Sequence, residues 1–260
     1  MTRLSVNLNK VALVRNARAG LHPTADARPD VLRAARAVLD AGAAGVTLHP
    51  RPDRRHALLE DGRALKTLVL SREQGEELNL EGNPFSRETE TYPGFLALLL
   101  EIGPTQATLV PDASDQLTSD HGWNLVRDGE RLAPAIARLN DRGCRVSLFM
   151  DPNPEAIRRA ADLGADRVEL YTGPYAWAHA EGDASRELDR HAAAAEAAHD
   201  AGLGLNAGHD LDLRNLADYL RAVRGVEEVS IGQALVADAL HAGLADATRA
   251  YLGAIAAAGS

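Results

Sequence analysis

Cysteine is nearly absent from this chain. Cys144 is the single cysteine among 260 residues, which excludes an intramolecular disulfide and any multi-cysteine zinc or iron–sulfur site. Aromatic residues make up only 4%, too few for a stacking platform along single-stranded nucleic acid. Positive charge is in deficit as well, with 28 Lys and Arg against 37 Asp and Glu, a net charge of −9 and a pI of about 5.5. A broad basic face for nucleic acid or an anionic membrane is therefore not expected, although a local pocket of Arg and Lys for a small anion fits this balance. No apolar run is long enough to span a bilayer, and the opening MTRLSVNLNK lacks the apolar segment of a signal peptide. These absences make a soluble cytoplasmic protein the expectation.

What is present is an ordinary globular balance, 45% hydrophobic and 25% charged. There is no linker or low-complexity tract, so one domain over 1–260 is expected. Short β-branched and leucine-rich runs predict strands at 4–7, 45–49, 77–81, 107–111, 146–150, 167–172, 204–206 and 228–232. Apolar spacing near 3.6 predicts helices over 29–41, 87–102, 132–142, 154–163, 185–201, 213–223 and 234–257. Gly42, Gly143, Gly164 and Gly202 each follow a helical run, as a left-handed C-terminal residue would. The phrases DAGAAGVTLH, DRGCRVSLFM, DLGADRVELY and DAGLGLNAGH repeat one form: helix end, glycine, buried strand. Such repetition implies a parallel sheet, and about eight units imply a (β/α)8 TIM barrel. An open doubly wound sheet fits less well, because the early G-x-G-x-x-G turn is missing. Segments 10–28 and 111–131 are too long for tight turns and are expected as loops over the active site, with 83–93 a further surface loop.

In such barrels chemistry gathers at the C-terminal ends of the strands. Those ends read Asn7 and Asn9, His49 and Arg51, Glu81, Glu169 and Thr172, Asn206 and His209, Gly232 and Gln233. The residues before the strands read as mostly glycine and small. His49 suits a general acid or base, against a bland strand-end hydrogen bond. Arg51, Arg54, Arg55 and His56 suit an anion clamp, against a solvated charged loop. Glu81 suits a base whose pKa is raised by burial, against a salt bridge. Glu169 alternates with Val168 and Leu170 and should point into the barrel, where a lone carboxylate is costly unless paired or catalytic. NAGHD (206–210) and SIGQA (230–234) follow the seventh and eighth strands, where glycine amides and a helix N-terminus often hold phosphate. Gly208 and Gly232 are expected to let the backbone approach that ligand. A metal on His49, His56 and His209 competes, but neither H-x-H nor H-E-x-x-H occurs. Cys144 reads as a structural thiol, and Trp123 and Trp177 as loop packing. Segment 51–61 is the expected lid.

Together these residues resemble the pyridoxine 5′-phosphate synthase family. The matching segments are SVNLNKVALVRNAR, GVTLHPRPDRRH, LNLEGN, TLVPDASDQLTSDHGW, VSLFMDP, RVELYTGPYA, LGLNAGHDL and VSIGQALVADAL, in order over nearly the whole chain. The resemblance implies a closed barrel with extra helices, a homo-octamer built from dimers, small phosphorylated substrates, and no metal or organic cofactor. It implies ring-closing condensation of 1-deoxy-D-xylulose 5-phosphate with 3-amino-2-oxopropyl phosphate to pyridoxine 5′-phosphate, phosphate and water. His49 and Glu81 would accept protons, His209 would donate one, and Glu169 would stabilise transition-state charge. Asn7, Asn9 and Lys10 would contact the deoxyxylulose phosphate and Arg18 the amino-ketone phosphate. Arg51, His56 and Thr118 would complete the pocket, and the Asp210, Gly232 and Gln233 loops would hold a phosphate. Three positions depart from the family pattern: Asn9-Lys10 stands where many members have Asp-His, Asp210 where many have glycine, and Gln233 where the pattern has histidine. These departures keep two alternatives in view, a related barrel enzyme on another phosphorylated ketone and a non-catalytic phosphate-ligand-binding relative.

Overall fold

The computed structural model describes residues 1–19, 27–72, 74–113 and 116–259. Its strands are β1 (Arg3–Asn7), β2 (Gly45–Leu48), β3 (Glu77–Gly82), β4 (Gln106–Leu109), β5 (Arg145–Met150), β6 (Arg167–Leu170), β7 (Gly204–Ala207) and β8 (Val226–Ile231). All neighbours pair in parallel, and β1 pairs with β8 to close the barrel. The helices are α1 (Asn9–Ala19), α2 (Val31–Asp40), α3 (Leu59–Arg72), α4 (Phe95–Ile102), α5 (Leu125–Asn140), α6 (Pro154–Asp162), α7 (Gly173–Glu181), α8 (Ser185–Asp200), α9 (Leu216–Ala222), α10 (Gln233–Ala242) and α11 (Leu244–Ala258). Two helices, not one, follow each of β1, β6 and β8. These pairs supply the extra helices of the (β/α)8 arrangement.

Each predicted strand is present, shifted by at most a few residues. Gly42, Gly143, Gly164 and Gly202 all take the positive φ that ends a helix and turns the chain into the next strand. Strand alternation sorts the side chains. Leu4, Val6, Val46, Leu48, Leu78 and Leu80 are fully buried in the apolar layer shared with the helices. The opposite faces carry Ser5, Thr47, Asn79, Thr108, Ser147, Glu169, Asn206 and Ser230, all buried. These residues bond across the barrel: Ser230 Oγ reaches Thr47 Oγ1 at 3.2 Å, and Gln106 Nε2 donates to Glu228 Oε1 at 3.1 Å. The barrel interior is therefore polar, and the main apolar core is the ring between strands and helices.

Several expectations are corrected. Most of 10–28 is not loop, because α1 begins directly at Asn9. The loop after β4 ends at Asn124, whose side chain accepts from the Arg127 N–H and caps α5 a full turn or more before the predicted start. The single helix expected over 234–257 breaks at Gly243, with φ 85°, into α10 and α11. Helices α3 and α7 were not foreseen. In α3 the apolar stripe is interrupted by Gly62, where a Cβ would stand 2.8 Å from Ile102 Cδ1. The strand beginnings are not merely small residues either. Arg3 and Arg145 both pair with Glu77, Arg145 Nε donates to Gln106, and Arg167 pairs with Glu227. Asn206, read as a rim residue, accepts from Arg167 Nη1 at 2.9 Å and belongs to this lower network.

Candidate active site

The C-terminal strand ends surround a cavity of about 340 Å³, at the small end of the range for ligand pockets. Asn7, Asn9, Lys10, His49, Arg51, His56, Glu81, Thr118, Glu169, His209, Asp210, Gly232 and Gln233 all line it. Arg18 does not: it is exposed in the last turn of α1, so the expected anion set of Arg18 with Arg51 is not assembled in this structure. Leu117, Ser119 and Ser230 also line the cavity and were missed. Ser230 was readable in principle, since it lies two residues before the rim residue Gly232 and so shares its face of β8.

Two asparagines fix the first acid/base pair. Asn7 at the end of β1 donates from Nδ2 to Glu81 Oε2 at 3.1 Å, and its Oδ1 accepts the Asn9 N–H at 3.0 Å. Asn9 Oδ1 in turn accepts the His49 N–H at 2.8 Å. Residues at the ends of β1, β2 and β3 are thus tied in one line by two carboxamides. Gly232 makes room for this, because a Cβ there would lie 2.9 Å from Asn7 Cβ. At Gly208 a Cβ would lie 2.0 Å from the Ser230 carbonyl oxygen. Both glycines are therefore demanded by packing between strand ends, and Gly232 also lines the cavity. The N-terminus of α10 still opens at Gly232 and Gln233 on the cavity wall, where helix amides and dipole favour an anion.

Electrostatics divides the titratable groups. Burial, opposed by the His209 charge, pushes Glu81 up to about 7. Burial, reinforced by Glu81 and Glu228, raises Glu169 well above the usual carboxylate range and so favours its neutral form. Burial and then Arg51 hold His49 well below the usual imidazole range, and burial with Arg51 and Arg55 takes His56 down to about 3. Burial works against charge on His209, but the Asp210 hydrogen bond and charge outweigh it and the pKa is raised. Lys10 is lowered by burial and by Arg55 and Arg51. The two imidazoles are thus pushed in opposite directions, His49 toward its neutral and His209 toward its cationic form, and both carboxyls are pushed toward the neutral form.

The segment after β4 spans the mouth. Arg51 pairs with the buried Asp112, which also accepts from Ser119 Oγ at 2.8 Å. Arg55 donates to the Gln116 and Leu117 carbonyls, each at 2.8 Å. On the far side Thr118 Oγ1 lies 2.9 Å from His209 Nε2. Segment 51–61, the expected lid, is thereby the anchor of this strap. Asp115, in the sequence of the same loop, lies outside the described residues. Trp123 is buried with Nε1 donating to the Leu109 carbonyl at 2.8 Å, as loop packing requires. Burial raises the Cys144 thiol to about 11, which fits an unreactive structural cysteine. Among the described residues no group of three or more His, Cys, Asp or Glu is placed to hold a metal ion, and no helix is long and apolar enough to cross a membrane.

Comparison with known proteins is consistent over the full length. The family described as "Pyridoxal phosphate biosynthesis protein PdxJ" matches residues 4–257. A pyridoxine 5′-phosphate synthase of Xanthomonas campestris pv. campestris is 55% identical over 255 residues, covering 98% of this chain and 96% of the relative. One of Xylella fastidiosa is 51% identical over 251 residues, covering 96% and 94%. Among solved structures, the tryptophan synthase alpha chain of Legionella pneumophila superposes with a TM-score of 0.62 at 14% identity, covering 99% of this chain and 91% of the other. Thiamine phosphate pyrophosphorylase of Pyrococcus furiosus gives 0.61 at 13%, covering 99% and 96%. At such identities the two structures speak for the fold alone.

Proposed function

The chain belongs to the pyridoxine 5′-phosphate synthase family, and from that premise we propose that its cavity carries out the family's ring closure with the residues described above. The reaction condenses 1-deoxy-D-xylulose 5-phosphate with 3-amino-2-oxopropyl phosphate to give pyridoxine 5′-phosphate, phosphate and water. Joining an amine to a ketone, removing carbon-bound protons, expelling phosphate and dehydrating the ring all need protons moved in both directions at neutral pH. The observation that supports this reading best is the divided set of acid/base groups in one cavity. Glu81, near its midpoint, takes a proton and returns it. His49, held neutral, is the second acceptor. His209, whose cationic form Asp210 favours, donates. Glu169, whose neutral form burial favours, stabilises developing negative charge by donating a hydrogen bond, which refines the charge-stabilising role implied by the resemblance.

Anion recognition divides between two walls. Lys10, Arg51 and His56 line one, and the N-terminus of α10 with Gly232 and Gln233 lines the other. Gln233 offers an amide donor where the family pattern has an imidazole. Arg51 meets substrate only by sharing or leaving its pairing with Asp112. On this reading the enzyme works in the cytoplasm as a homo-oligomer without a metal or organic cofactor.

The test is turnover of the purified protein with both substrates, with and without a chelator. Pyridoxine 5′-phosphate and released phosphate, unaffected by the chelator, are expected. Absence of product from folded protein, with turnover of another phosphorylated ketone, would overturn the substrate assignment.

A further inference from the structure

Asp210, the departure from glycine noted in the sequence, is occupied with His209. Its Oδ2 lies 2.7 Å from His209 Nδ1. The Asp210 backbone is held on both sides: its N–H donates to Thr172 Oγ1 at 3.2 Å, and its carbonyl accepts from Asn215 Nδ2 at 3.3 Å. The imidazole packs against both Phe149 and Tyr171, with ring centroids 6.2 Å and 5.9 Å away. Its other nitrogen, Nε2, is the one that meets Thr118 on the strap at 2.9 Å. An ionised carboxylate only accepts hydrogen bonds, so the proton between the two residues resides on Nδ1. The neutral ring is then the Nδ1–H tautomer, and its free lone pair is on Nε2.

We propose that Asp210 is a positioning residue of this active site: by binding Nδ1 it commits His209 to carry its exchangeable proton on Nε2, the cavity side. The proposal rests on the reading of His209 as the proton donor. In that role Nε2–H of the imidazolium gives its proton to a departing substrate oxygen. The carbon–oxygen bond breaks with its electron pair on that oxygen, which leaves as water, while a neighbouring C–H bond gives its proton to the Glu81 carboxylate and its electron pair forms the new carbon–carbon double bond. His209 ends neutral with Nδ1–H still on Asp210, and Nε2 regains a proton from solvent. Other charged and titratable groups face the ring from neighbouring elements: Glu81 in β3, Asp112 after β4, His49 after β2 and Tyr171 after β6. They bias its charge; the bond from Asp210 selects which nitrogen works.

The experiment is a pH titration of 15N-histidine-labelled protein by NMR, with His209→Asn to assign the signal and with Asp210→Asn and Asp210→Ala. No substrate is needed, so a failure of the synthase reading in the turnover assay stays distinct from a failure here. The wild type is expected to show a neutral Nδ1–H ring. Asp210→Asn keeps that tautomer through its amide oxygen but titrates at lower pH. Asp210→Ala loses the tautomer preference, and kcat falls about tenfold with KM little changed, the alkaline limb moving down by about one pH unit. A neutral Nε2–H ring in the wild type would overturn the proposal. So would an unchanged tautomer and midpoint in Asp210→Ala. Asp210→Asn is nearly isosteric and keeps the test decisive if the alanine variant does not fold.

Discussion

Replacing Glu81 with Gln tests the electrostatics of the site twice, once through stability and once through turnover. Gln keeps the oxygen that accepts from Asn7 Nδ2 and removes only the ability to ionise. In the folded chain the carboxyl sits at about 7, against an ordinary 4.5. At 1.36 kcal/mol per pH unit, that preference for the neutral form is worth about 3 kcal/mol. The sign follows from proton counting. Below pH 4.5 the carboxyl is neutral in both folded and unfolded chains, and the substitution changes little. Between 4.5 and about 7 the unfolded chain has lost its proton while the folded chain keeps it, so wild-type stability falls as pH rises. Above that window the full cost stands. Glu81→Gln should therefore match the wild type near pH 4 and exceed it by about 3 kcal/mol at pH 8, or about 8 °C in Tm. Thermal melts of the two proteins across that range make the measurement. In the same variant kcat should fall by about a hundredfold or more, because the base is gone. In the wild type kcat should fall along an acid limb near pH 7, where Glu81 takes up its proton. A Tm difference that stays flat with pH would refute the burial argument, and near-normal turnover would refute the role.

Substitutions at four further positions separate architecture from chemistry. Arg51→Met leaves buried Asp112 without its cation and should cost about 3 kcal/mol in denaturant unfolding; adding Asp112→Asn should restore most of that stability while the KM for phosphorylated substrate stays raised about tenfold or more. Asn9→Ala removes the acceptor for the His49 N–H and should cost about 1 kcal/mol together with part of kcat, whereas Asn9→Asp keeps the acceptor and should move the His49 titration to higher pH, read from the histidine NMR signal. Glu77→Ala at the opposite end of the barrel strips Arg3 and Arg145 of their shared partner and should lower stability by about 2 kcal/mol with kcat unchanged at a temperature where the variant is folded.

The barrel was legible because its grammar is local. A glycine with positive φ at the end of a helix, as at Gly42, Gly143, Gly164 and Gly202, and a short run with period-two apolar faces are properties of a few adjacent residues. The candidate site was legible for a related reason: in a parallel barrel the last residue of every strand reaches the same rim, so His49, Glu81 and Glu169 could be gathered without knowing any distance. What could not be read was anything set by partners far apart in the chain. Glu77 looks like the polar start of a strand until Arg145 is seen beside it. That Gly208 and Gly232 also make room for Ser230 and Asn7 shows only when the missing Cβ atoms are placed against those distant partners. Arg18 looks like an anion ligand by motif, yet α1 carries it away from the cavity rim.

The polar barrel interior explains why the acid/base groups differ so much from one another. A barrel filled with leucine and valine would raise every carboxyl at its mouth by the same mechanism, with little to tell two of them apart. Here Glu169 stands inside the hydroxyl and amide column, with Thr108 Oγ1 3.5 Å from its Oε2 and Glu228 adding negative charge from below. Glu81 stands at the rim, where Asn7 and the cationic His209 favour its ionised form. The same burial therefore leaves one carboxyl neutral and the other near its midpoint, and opposed neighbours, Arg51 for His49 and Asp210 for His209, split the two imidazoles in the same way. Pairs of like groups driven apart by their surroundings are what a reaction needs when it must both remove and supply protons at one pH.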